Sequence, residues 1–471
     1  MTNEELRLEA VGQTSTATEE KPSPSAVSSD LIYGLDARPP LREAIFAALQ
    51  HVLASFVGIV TPSLIVGGAL GLQPATTAYL VSMSLFVSGI ATFIQAKRIG
   101  PVGSGLLSVQ GTSFAFIGPI IGAGSAAISA GVSPEAALGT VFGLCFFGSL
   151  IEMIFSQLIQ FASRVITPLV TGTVVSLIGL TLINVGITAI GGGAPAREAG
   201  TFGSPQNLFL AGLVLVIIIV LNSARNPFLR MASIAIGLIV GYVVALFMGL
   251  VNLSSLSNLS FFEFPIPFSF GFGFSPVAFI PFAFLFLITT IESIGDLTAT
   301  SAITGEPIQG ETYFRRIKGG VLGDGVNSLI AACFNTFPNT TFSQNNGVIQ
   351  LTGVGSRYVG FFIAGIFLIS GLFPLIGGVL QAIPQPVLGG ATIIMFGSVA
   401  AAGVRILSTV DFNKRSSIIL ATSLGLGLGV TFAPDVLDNM PELVKSIFAS
   451  GIATGGLCAL ILNILLPGQR D

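Results

Sequence analysis

Charge is what this chain has least of. Asp, Glu, Lys and Arg together make up 9% of its 471 residues, where a soluble domain carries about a quarter. That shortfall excludes an ordinary soluble domain. The net charge is only -3 and no basic cluster offers a seat for a nucleic-acid backbone, so that class of partner is excluded as well. Histidine occurs once, at His51, and cysteine three times, at Cys145, Cys333 and Cys458. These residues fall at neither metal-ligand nor disulfide spacing, so no metal or cofactor is expected. No nucleophile–base pair is visible, and an enzyme is not expected.

In place of charge the chain has 52% hydrophobic residues and a mean hydropathy of +0.89. They come in blocks near the roughly 20 residues a helix needs to cross about 30 Å of hydrocarbon. Residues 1–40 stand apart. Ser, Thr, Glu and Pro dominate there with no apolar run behind a basic start, which reads as a mobile polar tail and not as a cleaved signal peptide. From an amphipathic segment near Leu41 onward, fourteen blocks follow, the first near 43–66, the eighth near 277–300 and the last near 447–467.

Basic residues supply the orientation. Lys97, Arg98, Arg164, Arg225, Arg230, Arg315, Arg316, Lys318, Arg357, Lys414, Arg415 and Arg470 all follow even-numbered blocks or precede odd-numbered ones. The positive-inside bias therefore predicts fourteen crossings with both termini in the cytoplasm.

Two blocks do not read as ordinary helices. The third (104–124) opens on Leu106 to Phe114 and the tenth (339–350) on Asn339 to Gly347; both stretches are polar and rich in β-branched residues or turn formers. Extended backbone at membrane depth is tolerated only where protein or a wet cavity surrounds it. Pro168, Gly172 and Gly179 in the fifth block recur as Pro386, Gly390 and Gly397 in the twelfth, 218 residues and seven blocks later. Seven is odd, so the second half enters from the opposite side: the halves are inverted repeats. The third and tenth blocks also stand seven apart, and paired broken segments of this kind point to a midplane binding site.

Several polar residues lie in apolar surroundings. Glu292 and Asp296 in the eighth block are four apart, hence on one helical face. A carboxylate in hydrocarbon is costly, so such a group is expected to face a cavity and to carry a proton during part of a cycle. For Asp296 a hydrogen-bonding anchor is an equal alternative. Asp324 in the ninth block reads either as an acceptor for a neighbouring helix or as part of a proton route, and Glu152 only as a packing or vestibule acid. His51 is read first as a hydrogen-bonded link between two helices, with proton relay as the alternative. Gln344, Asn345 and Asn346 supply uncharged donors and acceptors that suit a planar heterocycle edged with N–H and C=O groups. Gln110 and Ser113 offer similar groups, and Phe114 offers a stacking face. Amides that satisfy loose backbone are the expected role of Asn345 or Asn346, but not of Gln344.

The strings that carry these residues include GSGLLSVQGTSFAF, IESIGDLTAT, GGVLGDGVNSLIAA and TTFSQNNGVIQLTGVGSR. In these, and from about Leu31 to about Leu466, the chain resembles the nucleobase–ascorbate transporters (nucleobase:cation symporter-2), bacterial xanthine and urate permeases above all. The resemblance implies an all-α polytopic fold of fourteen segments, the third and tenth part strand and part helix. It implies a core domain (41–163 and 275–380), a gate domain (164–257 and 384–467), and a homodimer in which the core slides against the gate. Glu292 then matches the acid that binds the base, Gln344 the amide that recognises a purine, and Phe114 the stacking ring, with backbone of Phe114 and Ser343 available to the substrate. Asp296, Asp324, His51 and Asn345 match supporting positions, with Gln110 beside them. Narrow xanthine permeases carry asparagine where this chain has Ser113, and the smaller side chain leaves room for the C8 oxygen of urate. The expected activity is import of urate, xanthine or both across a bacterial inner membrane. The residues alone admit a proton or a sodium ion as the coupling ion, and the resemblance implies protons. A xanthine-only symporter, an inorganic-anion carrier of related fold and a channel are the alternatives.

Overall fold

The computed structural model describes residues 31–159, 167–226, 229–230, 232–251, 262, 264–441, 444, 448 and 450–466. Arg164 and Arg470, and the domain boundaries expected at 163, 164, 257 and 467, lie outside the described residues.

In chain order the elements are α1 (Leu41–Ala69), α2 (Pro74–Lys97), β1 (Gln110–Thr112), a 3-10 turn (Phe114–Phe116), α3 (Ile117–Ser129), α4 (Pro134–Gln157), α5 (Pro168–Ile190), α6 (Gly193–Glu198), α7 (Pro205–Asn222) and α8 (Ser233–Phe247). There follow α9 (Pro276–Ile303), α10 (Gly310–Cys333), β2 (Asn339–Thr341), α11 (Gln344–Thr352), α12 (Arg357–Gly371), α13 (Pro374–Gln381), α14 (Gln385–Leu407), α15 (Lys414–Phe432), a 3-10 turn (Pro434–Leu437) and α16 (Gly451–Leu465). The helix starts are written into the sequence. Ser133, Ser204 and Ser275 each precede a proline, and each hydroxyl accepts the backbone N–H three residues on, at 3.3–3.4 Å. Proline at the first helical position gives up an N–H that would have had no partner, while the serine satisfies one that otherwise lacks it.

Eight of the described helices, α1, α2, α4, α5, α7, α9, α14 and α15, are long and apolar enough to cross a membrane. The chain is thus a multi-pass integral membrane protein. α12 and α13 together also qualify but bend by 80° at their junction, and α8 and α16 are shorter apolar helices. α10 is as long as α4 yet carries Arg315, Arg316, Lys318, Asp324 and Asn327. Its polar inner half is buried against other helices.

Packing divides the helices into two groups. α2 lies along α12 and α4 along α10, with α1 and α9 packed on the same set. α5 lies along α14 and α15 along α16, with α7 and α8 beside them. β1 and β2 pair antiparallel, Gln110 opposite Thr341, Gly111 opposite Thr340 and Thr112 opposite Asn339. All six strand residues are buried, as the rule for extended backbone at membrane depth requires. A Cβ on Gly111 would stand 2.4 Å from the Phe342 ring and 2.7 Å from Ile59, so only glycine fits there.

Residues at the end of the segment read as a mobile tail are held in place. The Ile32 amide donates to Gly353 O at 2.8 Å, Gly355 to Tyr33 O at 2.8 Å and Arg357 to Leu35 O at 3.0 Å. These backbone bonds tie the segment to the end of α11, a long-range pairing that its polar composition does not reveal.

The repeated glycines are equivalent in spacing but not in contact. A Cβ on Gly179 would lie 2.2 Å from the Ala400 amide nitrogen, and one on Gly172 would lie 3.0 Å from Gly403 O, so both belong to the close crossing of α5 and α14. Gly390 instead approaches Ala211 O in α7, and a Cβ on Gly397 meets nothing within 4 Å. Gly179→Ala is therefore expected to lower stability by about 1–3 kcal/mol through overpacking. Gly397→Ala should be neutral or gain up to about 1 kcal/mol from helix propensity. Thermal unfolding of both variants in detergent measures the contrast, and equal melting points would contradict it.

Candidate functional site

The geometry is built outward from Asp324, which is fully buried in α10. It accepts three side-chain hydrogen bonds from three elements: Gln95 of α2 at 2.6 Å, Ser293 of α9 at 2.5 Å and Thr341 of β2 at 3.0 Å. Gln95 also donates to Gly320 O at 2.8 Å, and its own oxygen accepts the Ser104 amide at 2.9 Å. Gln110 of β1 donates to the Thr341 hydroxyl at 2.9 Å, which joins both strands to the same network. Bonds of this kind to a carboxylate are among the stronger ones. Asp324 thus acts as an acceptor for neighbouring helices, one of its two sequence-based readings.

The network fixes the strands, and the strands fix two helix starts. The turn at Phe114 and helix α11 at Gln344 both begin where their strand ends. Both starts border one region, and a helix start carries partial positive charge. A small cavity of about 20 Å³ lies between them, room for roughly one water molecule. From the first strand and its helix, Phe114 and Ala115 line it, and from the second, Thr340 to Gln344. Glu292 of α9 closes one side; Ile178 of α5 and Val399 of α14 close the other. The cavity thus sits where the two packing groups meet. The buried Oε2 of Glu292 has no hydrogen-bond partner, and the Phe114 ring stands edge-on to Phe396 of α14, centroids 5.4 Å apart.

Four residues singled out from the sequence, Glu292, Gln344, Phe114 and Ser343, thus line one cavity. Others stand behind it. Asp296 is one turn beyond Glu292, and its backbone carbonyl accepts from the side chains of Thr300 at 2.8 Å and Asn346 at 3.4 Å. Asn345 donates to Leu107 O at 2.6 Å, and Asn346 accepts from Thr300 at 2.6 Å. Both serve broken backbone or the adjoining helix, as expected of such amides. His51 faces the Asn345 side chain, yet neither ring nitrogen has a hydrogen bond of ordinary geometry. With its Nδ2 donated to Leu107 O, Asn345 has its Oδ1 left for the ring, and that oxygen too lacks a partner of ordinary geometry. Ser113 is buried beside the cavity and not in its lining, and its hydroxyl has no partner. Thr341, Gln95, Ser293, Ile178 and Val399 were not legible from sequence. A polar Gln95 within the apolar α2 was the one available signal.

Comparison with known proteins agrees with this architecture. The Permease family model matches residues 42–436. The chain is 49% identical to xanthine permease XanP of Escherichia coli K12 over 454 residues, covering 96% of this chain and 98% of that protein. Against xanthine permease XanQ of the same organism it is 48% identical over 440 residues, covering 93% and 94%. The murine anion transporter Slc26a9, in its inward-facing state, superposes with a TM-score of 0.61 at 12% identity, covering 98% of this chain and 74% of that one. An identity that low speaks for shared fold alone. Over nearly its whole length the chain belongs to the nucleobase:cation symporter-2 permeases, and it is a membrane transporter, not an enzyme.

Proposed function

We propose that this permease imports oxidised purine bases, xanthine with or without urate, together with protons. The observation that carries the reading is the unpartnered Glu292 carboxylate, which shares a cavity with the Gln344 amide and the Phe114 ring between two helix starts. A purine with oxo groups and ring N–H groups complements that set. Its N–H groups donate to Glu292, Gln344 both donates and accepts, and its oxo groups meet backbone N–H of the Phe114 and Ser343 region. Glu292 is both ligand and proton carrier, and Asp296, Asp324, His51, Asn345 and Gln110 support it. The names of the two E. coli relatives favour xanthine. Urate rests on Ser113, and a xanthine-only range is the second reading, favoured by the position of that hydroxyl behind the cavity wall. An inorganic anion is disfavoured, since an acid and no Lys or Arg lines the cavity.

A cavity the size of one water does not hold a purine, so its two walls must part. The lining comes from both packing groups, which supports an elevator: a core (41–163 and 275–380) sliding against a gate (164–257 and 384–467). The same reading includes fourteen segments, a homodimer that keeps the gate stationary, and cytoplasmic termini in a bacterial inner membrane.

Three substitutions test it in cells lacking their own purine permeases. Glu292→Gln removes the protonatable group and should abolish accumulation of labelled xanthine while the protein still reaches the membrane; normal uncoupler-sensitive accumulation would refute the role. Gln344→Glu loses an amide donor and should weaken xanthine competition by roughly 1–3 kcal/mol, about 5- to 150-fold. Unchanged competition constants across a purine panel would rule out direct recognition. Ser113→Asn should shift preference from urate toward xanthine, and wild-type cells that take up xanthine with no urate uptake or inhibition would leave the xanthine-only range standing.

A further inference from the structure

Glu152 of α4 is a third buried acid, one that the substrate site does not use. It is 1% exposed, its Oε1 has no hydrogen-bond partner, and it does not line the substrate cavity. Its charged neighbours are Asp324 of α10 and Glu292 of α9. A Cβ on Gly325 would lie 3.0 Å from the Met153 amide nitrogen and 3.2 Å from Ser149 O, so α4 and α10 touch backbone to backbone at this level. The remaining element packed on α4, α3, carries no titratable residue.

The three acids are not in equivalent settings. Asp324 has three side-chain donors and is satisfied as an anion. Glu152 lacks a donor on Oε1, and a buried carboxylate beside two other acids is costly unless neutralised. One turn along α4, on the same face and about 6 Å further along the axis, lies Ser156. Ser156 and Gln157 line a second cavity, of about 240 Å³, with Glu311, Phe314, Arg315 and Lys318 of α10. Arg98 and Arg316 stand at the same end of the molecule. Burial first, and then Arg315 and Arg316, hold the Arg98 guanidinium below its ordinary pKa, while Arg316 is paired with Glu306 at 2.8 Å.

We infer that Glu152 is a proton-relay site linking Glu292 to the cavity lined by Ser156, Gln157, Arg315 and Lys318, a way out for the proton separate from the path of the base. This rests on the proton-coupled reading above. Protonated Glu292 gives up its proton, and the Glu152 carboxylate takes it and becomes a neutral acid. Glu152 then passes the proton to water in the cavity and is a carboxylate again. One proton moves and no bond in the purine changes.

The test uses the full-length protein in proteoliposomes and follows two quantities: counterflow of labelled xanthine without a proton gradient, and gradient-driven accumulation with lumenal pH recorded by a trapped dye. Glu152→Gln keeps the shape and loses the proton. It should retain counterflow within about twofold while gradient-driven accumulation and accompanying proton entry fall at least about tenfold. Glu152→Asp, which restores an acid, should recover accumulation with a displaced pH profile, while Glu152→Asn should not. Wild-type accumulation and proton entry in Glu152→Gln, with the wild type itself proton-coupled, would overturn the relay alone. Identical behaviour of Glu152→Asp and Glu152→Asn would overturn it even if the glutamine variant does not fold. Xanthine entry into wild-type vesicles without proton movement would overturn the relay and the coupling together.

Discussion

Non-helical backbone has no partners in hydrocarbon, and this protein carries two such stretches into its interior. What makes them tolerable is their pairing with each other and with buried hydroxyls. Beyond the register of Gln110–Thr112 with Asn339–Thr341, the Gln110 amide donates to the Thr92 hydroxyl at 3.0 Å. The Ser328 hydroxyl serves Asn339 twice, accepting from its amide and donating to its carbonyl, each at 3.1 Å. All six strand residues are buried, so protein surrounds the pair. The cavity, the opposed helix starts and the Glu292 wall all follow from that arrangement.

Asp324 holds the assembly in register. Through Gln95, Ser293 and Thr341 it binds α2, α9 and β2 to α10, and a buried network is rigid when every member is satisfied. The contrast with Glu292 is instructive. Both are acids in the same neighbourhood, but one has its acceptor capacity filled by the protein and the other has a buried oxygen with no partner. That oxygen belongs to a residue lining the cavity, whereas Asp324 stands behind it.

The rest of the cavity wall comes from elsewhere. Ile178 and Val399 belong to helices held together by the close crossing at Gly172 and Gly179, far in sequence from the strands. On this side the lining is apolar, and on the other it mixes Glu292, Thr340, Thr341, Ser343 and Gln344 with Phe114, Ala115 and Phe342.

Much of this was legible beforehand because membranes restrict the vocabulary of sequence. Apolar blocks must be spans, broken polar blocks must be buried, and an acid such as Glu292 or an amide such as Gln344 stands out against a background with so few alternatives. The membrane-spanning class, the two unusual segments, Glu292 and Gln344 came from that contrast; Phe114 was read as a stacking ring, and Ser343 was implied by the family resemblance. What sequence left open depended on which side chains meet. It did not show that Asp324 would collect donors from three elements, that Asn345 would donate to Leu107, or that Ser113 would stand behind the cavity wall. Nor did it show that Gly179 and Gly397, identical in repeat position, would face a tight crossing and open space. Hydropathy and spacing are properties of one segment and its solvent; hydrogen-bond partners and contact distances arise between segments hundreds of residues apart, and only the tertiary structure chooses among them.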